Sequence, residues 1–228
     1  MELEICCNGL ESALVAQESG ADRIELCSHL HLGGLTPSKE VLLAVRKKVH
    51  IPIYVLIRPR EGNFVYSEKE FDSMISDIDF CVQCGFDGIV SGVLLEDFKV
   101  DVQRTERLFG AVKNLDFTFH RAFDEVADTK LALSELELMG VKRILSSGQE
   151  KTALQGLSLL KSLEASTKSI HFMPGAGINR HNVLHFKTAG FKAVHASASK
   201  LIGVSTSGTA QTISDLDEIR AMLNIIRT

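Results

Sequence analysis

Several short apolar runs carry polar side chains at alternate positions: Glu4 and Cys6; Arg23, Glu25 and Cys27; Arg58 and Arg60; Thr118 and His120; His195 and Ser197. Each set has its own chemistry. A carboxyl group at Glu25 or an imidazole at His120 can move a proton, while Arg58 and Arg60 can hold negative charge. Cys6 and Cys27 offer two thiolates, soft ligands that suit Cu(I). If their runs are neighbouring strands, the two residues come roughly 5 to 7 Å apart. Cys7 has the wrong parity to join them.

A second constellation lies near the C-terminus, in Met173-Pro174-Gly175-Ala176-Gly177-Ile178-Asn179 and His195-Ala196-Ser197-Ala198-Ser199. Backbone amides around Gly175 and Gly177, with Ser197, could hold an anion, because glycine lets a ligand approach the chain and a following helix favours negative charge. The other reading is a tight turn capped by Asn179. Blander readings exist elsewhere too. Glu4, Arg23, Glu25 and Arg58 could form a buried ion-pair network, and buried cysteine often acts as a small hydrophobe. Cys81 and Cys84 fall at the end of a helix, where packing is the simpler role. His29 and His31 lie near the mouth of the site as either ligands or solvated side chains.

The elements that must position these residues follow from pattern. Strands are expected at Leu3 to Cys6, Arg23 to Cys27, Ile53 to Arg58, Gly88 to Ser91, Phe117 to His120, Arg143 to Ser146, Ser169 to Met173 and Ala193 to His195, separated by stretches of helical period. Phe71, Met74, Ile75, Ile78 and Val82 form one such apolar stripe. Asn8 with Glu11 and Ser67 with Glu70 have capping-box spacing, and Thr36 precedes a proline suited to a first turn. Gly20, Gly85, Gly140 and Gly190 each close a helix ahead of an even-numbered strand. This recurrence predicts a single α/β domain over residues 1–228, a (βα)8 TIM barrel, with a loop at Ser205 to Thr212 and a C-terminal helix carrying Leu216, Ile219, Leu223 and Ile226. In a barrel strand, alternate residues point inward, and the C-terminal strand ends carry the site. Leu3, Ile5, Ile24, Leu26, Val55, Ile57, Phe117 and Phe119 should then lie under the helices.

A formal net charge of -4 with scattered Lys and Arg excludes a basic stripe for nucleic acid or a polybasic membrane patch. No apolar run approaches the roughly 18 residues of a membrane span. The five cysteines fit no secreted framework, so free thiols in a reducing cytoplasm are expected.

Ile24-Glu25-Leu26-Cys27, Gly33-Gly34-Leu35-Thr36-Pro37-Ser38, Ile57-Arg58-Pro59-Arg60, Phe119-His120-Arg121-Ala122-Phe123-Asp124 and Leu145-Ser146-Ser147-Gly148 together resemble the signature stretches of the CutC family, from about residue 2 to 200. The resemblance implies a cytoplasmic TIM-barrel protein of copper homeostasis, with Cu(I) held by Cys6 and Cys27, and implies homo-oligomers. Two functions therefore stand side by side. One is Cu(I) binding through thiolates at the C-terminal face of the barrel. The other is an enzyme acting by acid/base chemistry on a small anionic or phosphorylated metabolite, with Glu25, Arg58 and His120 catalytic and Arg60, Gly175, Gly177 and Ser197 binding the anion.

Overall fold

The computed structural model describes residues 1–204 and 210–228. Eight strands alternate with helices: β1 (Glu2–Cys7), β2 (Arg23–Leu26), β3 (Ile53–Leu56), β4 (Gly88–Ser91), β5 (Asp116–Phe119), β6 (Arg143–Ser146), β7 (His171–Pro174) and β8 (Ala193–Ala196). They pair in parallel from β1 through to β7, and β8 returns to β1. β7 and β8 lie side by side, which brings the sheet round into a nearly closed TIM barrel.

The alternation sorts as the sequence predicts. Leu3, Ile5, Ile24, Leu26, Val55, Phe117 and Phe119 are buried in the layer between barrel and helices. Inside the barrel, Cys6, Cys27, Tyr54, Leu56 and Val90 pack together. Cys81, on α3 (Glu68–Gln83), belongs to the outer layer, and burial pushes its thiol up to about 12. This is the packing role read for it.

Helix starts are partly local and partly tertiary. Ser67 and Glu70 form the expected capping box of α3, and Ser67→Ala should cost about 1 kcal/mol, read as a shift in urea midpoint at unchanged slope. An unmoved midpoint would remove that role. Asn8 and Glu11 form no such box. α1 (Leu10–Ser19) starts behind Gly9, and the Asn8 side chain instead donates to the carbonyl of Thr212 at 3.0 Å. Ser38 rather than Thr36 caps α2 (Lys39–Lys48), since the Thr36 hydroxyl accepts from the amide of Arg58 at 2.8 Å. Gly20, Gly85, Gly140 and Gly190 all adopt the left-handed conformation that ends a helix.

The loop expected at Ser205 to Thr212 is corrected in part. Ala210–Ser214 is a strand, β10, paired antiparallel with β9 (Ser199–Val204); residues 205–209 lie outside the described part. Its Ser and Thr content reads as loop, but β-branched Thr212 and Ile213 suit a strand once a partner is present. The helix α8 (Leu216–Arg227) follows, burying Ile219, Met222, Leu223 and Ile226. Among the described residues, no helix is long and apolar enough to cross a membrane.

Candidate functional site

Strand register assembles the site around β1. Glu4 stands opposite Arg23 on one side and His195 on the other, while Cys6 stands opposite Glu25. Arg23 Nε donates to Glu4 Oε2 at 2.7 Å, and His195 Nδ1 lies 2.8 Å from Glu4 Oε1. Burial alone would raise the Glu4 carboxyl. The charge of Arg23 and the hydrogen bond from His195 outweigh it and hold the group down at about 2. Burial opposes the charge on His195, but Glu25 and Glu4 beside it leave its pKa above the usual histidine value. Arg23 also stacks on Tyr54, 4.6 Å from its ring centre. Glu4 and Arg23 are thus the ion-paired floor of the barrel.

Toward the C-terminal face the thiols begin. Cys6 Sγ lies 3.5 Å from Glu25 Oε1 and 3.4 Å from Cys27 Sγ. That is nearer than strand spacing alone suggests, because both side chains lean toward each other. The hydrogen bond with Cys27, and then burial, push the Cys6 thiol well above its ordinary value. Burial likewise raises Glu25, whose Oε2 has no partner. With Nδ1 of His195 turned to Glu4, its Nε2 is the nitrogen left for a ligand. One donor atom each from Cys6, Glu25 and His195 lies within 4.8 Å of the others.

A cavity of about 180 Å³ opens above this group, reached by Cys6, Glu25, Arg58, His120, Gly177 and Ser197. Cys27 sits behind Cys6, fully buried, under a glycine: a Cβ at Gly34 would meet Cys27 Cβ at 3.4 Å and Leu56 Cδ2 at 2.7 Å. Arg58 donates to the carbonyls of Leu32 (3.0 Å), Gly34 (3.1 Å) and Gly62 (2.8 Å), tying two loops together. Phe64 lies between Arg58, 5.0 Å from its ring centre, and the His120 ring at 4.7 Å. His120 Nδ1 accepts from the amide of Ala122 at 3.2 Å. Burial, reinforced by the charge of Arg58, lowers its pKa to about 3, so this imidazole is neutral. A Cβ at Gly92 would lie 2.7 Å from His120 Nδ1, which explains a glycine there.

Two residues expected at the anion site are not brought to the cavity. Arg60 turns away to Glu70 (2.7 Å) and to the carbonyls of Glu61, Asn63 and Val65, holding the loop that enters α3. The Gly175 amide is taken by the carbonyl of Ser146 at 3.0 Å, and a Cβ there would strike Leu145 Cδ1 at 2.5 Å. Gly175 is therefore a close-packing position between strands. Asp124, which closes the Phe119–Asp124 stretch, is a brace: it accepts from Arg121 (2.8 Å) and from the Ser146 hydroxyl (2.6 Å). His29 and His31 line a wider outer groove of about 800 Å³ beside the β9–β10 hairpin. Sequence reasoning placed His195 on the inward parity without giving it a role, and it missed Tyr54 and Phe64. Tyr54 shares the inward parity of Arg58, whereas Phe64 stands in a loop with no periodic signal.

Comparison with known proteins agrees with this architecture. The CutC family model matches residues 1–200. A CutC family protein of Salmonella schwarzengrund (strain CVM19633) is 47% identical over 200 residues, 88% of this chain and 81% of the relative; that of Salmonella newport (strain SL254) is 48% identical over the same span. The crystal structure of a candidate copper homeostasis protein CutC from Streptococcus agalactiae superimposes with a TM-score of 0.82 at 31% identity, covering 86% of this chain and 98% of that one. 3-Hexulose-6-phosphate synthase from Salmonella typhimurium, at 16% identity and a TM-score of 0.64 over 100% of this chain and 99% of its own, shares the fold alone. By the span of the family match, and by a level of identity that far exceeds what the barrel fold alone produces, the chain belongs to the CutC family.

Proposed function

We propose that the protein binds Cu(I) as cargo between the thiolates of Cys6 and Cys27, at the C-terminal face of the barrel. The observation that carries this reading is the pair of free thiols 3.4 Å apart on neighbouring strands, and the name of the Streptococcus relative points the same way. With metal–sulfur bonds of about 2.3 Å, a three-coordinate ion needs its sulfurs about 4 Å apart, so a small outward rotation admits it. Cys27 is packed on every side, so the movement falls to Cys6, which faces the cavity. Beside Cys6 the further donors are a Glu25 oxygen and His195 Nε2. The carboxylate of Glu4 on its other nitrogen orients the ring, as outer-sphere carboxylates do for metal-bound histidines.

Both thiols must lose their protons to the incoming ion, and the raised pKa of Cys6 makes uptake proton-releasing and stronger at higher pH. The test is anaerobic competition with a Cu(I) chelator, on wild type, Cys27→Ser and the Cys6→Ser/Cys27→Ser double variant. One tightly held equivalent, lost in both variants, is expected. Weak binding in wild type, or binding that survives the double variant, would sink the assignment.

A further inference from the structure

The thiol site leaves the rest of the cavity wall unused. Arg58 is 7% exposed there, and every hydrogen bond it makes is to a neutral carbonyl. Among the described residues no carboxylate lies within ion-pair distance of it, and Asp124, at the neighbouring loop, is committed to Arg121. Burying a cation without a direct ion-pair partner is costly; the Glu125 carboxyl feels the charge of Arg58 but lies beyond ion-pair distance of it. A guanidinium has five N–H donors. Three are taken by the loops, which leaves Nε, unpartnered, and one hydrogen on Nη2. The buried Tyr66 hydroxyl feels this charge but, as a neutral oxygen, does not cancel it.

His120 completes the pattern. Its Nδ1 accepts from Ala122, so the ring proton sits on Nε2, and that N–H is buried without a partner, on a ring that lines the same cavity. Glu25 Oε2 is the third buried oxygen or nitrogen on this wall with nothing to bond. The remaining wall is apolar, from Leu56, Phe64 and Leu145. A volume of about 180 Å³ is well below the roughly 300–1,000 Å³ of pockets for drug-sized molecules, so the occupant is small.

We propose that this cavity binds a short-chain hydroxy- or oxo-carboxylate, its carboxylate against Arg58 and its neighbouring oxygen accepting from His120 Nε2. Nε and the second Nη2 hydrogen are the donors left for such a carboxylate. A phosphate ester would need more donors, and the Gly175 amide that might have served one is already bonded within the barrel. The proposal goes beyond copper binding: it rests on Arg58 and His120, and is tested on the metal-free chain, although Cys6 lines the same cavity.

The experiment is calorimetric titration of the metal-free full chain with lactate, glycerate and pyruvate, beside lactamide and inorganic phosphate. At least one of the acids should saturate at millimolar concentration or below, and lactamide should not. His120→Phe keeps the ring packing on Phe64 and removes the donor; with its fold verified by circular dichroism, it should bind the acid about tenfold more weakly. Absence of binding by all three acids, equal binding of the amide, or tighter binding of phosphate would each overturn the proposal. Should the histidine variant fail to fold, the contrast of acid with amide on wild type still decides it.

Discussion

Glu4→Ala should lower the unfolding free energy by about 3–5 kcal/mol, the cost of leaving a buried partner charge uncompensated. Glu4 is fully buried and takes Arg23 on one oxygen and His195 on the other. After its removal Arg23 keeps Glu2, 3.3 Å away and half exposed, a hydrogen bond to Met173 Sδ at 3.1 Å and the face of Tyr54. His195 loses the carboxylate that holds its proton, so its pKa should fall. Urea unfolding read by two probes gives the first quantity, and a proton NMR titration of the ring gives the second. A loss below about 1 kcal/mol would mean that the trio behaves like a surface pair, contrary to its burial.

The second large effect is on acid stability. His120 in the fold has a pKa of about 3, against about 6.5 in an unfolded chain. Between those values the unfolded chain binds a proton that the folded one refuses, so stability is lost as pH falls, by about 1.4 kcal/mol per unit. Above about 6.5 the effect vanishes. His195, with its raised pKa, acts only at higher pH, where stability is lost as pH rises through its folded value. Glu25, raised by burial, opposes the trend over part of the window. Both are common to wild type and His120→Asn, so the difference between the two proteins isolates residue 120. Wild type should lose stability more steeply than His120→Asn from pH 6 to pH 4.5, by about one proton's worth of slope. Parallel curves would show that the imidazole takes up its proton inside the fold.

The barrel was legible because its strands are short and strictly alternating, and because the glycines at 20, 85, 140 and 190 punctuate it at matching points. Parity then placed Glu4, Cys6, Arg23, Glu25 and Cys27 inside. It failed where the strand had already ended. β3 stops at Leu56, so alternation carries no information for Arg58 and Arg60, and the loop geometry sends one to the cavity and the other to α3. Gly175 was misread for a related reason: a glycine beside a strand end serves close packing as readily as ligand approach, and only the neighbouring Leu145 and His195 side chains decide between them. Asn8 and Thr36 carry correct local capping chemistry that distant partners, Thr212 and Arg58, claim instead. Phe64 owes its place beside His120 to loop conformation, for which no periodic signal exists.

The seam between β1 and β8 has a consequence for the timing of assembly. His195 reaches Glu4 across 191 positions of chain, so the first strand of the barrel waits for the eighth. During synthesis Cys6 and Cys27 leave the ribosome early, whereas the histidine that completes their surroundings, and the charge balance of the floor beneath them, arrive only when the barrel can close. A nascent chain thus holds an unfinished thiol pair until β8 has been made, and the complete donor set becomes available in a step that coincides with closure of the barrel.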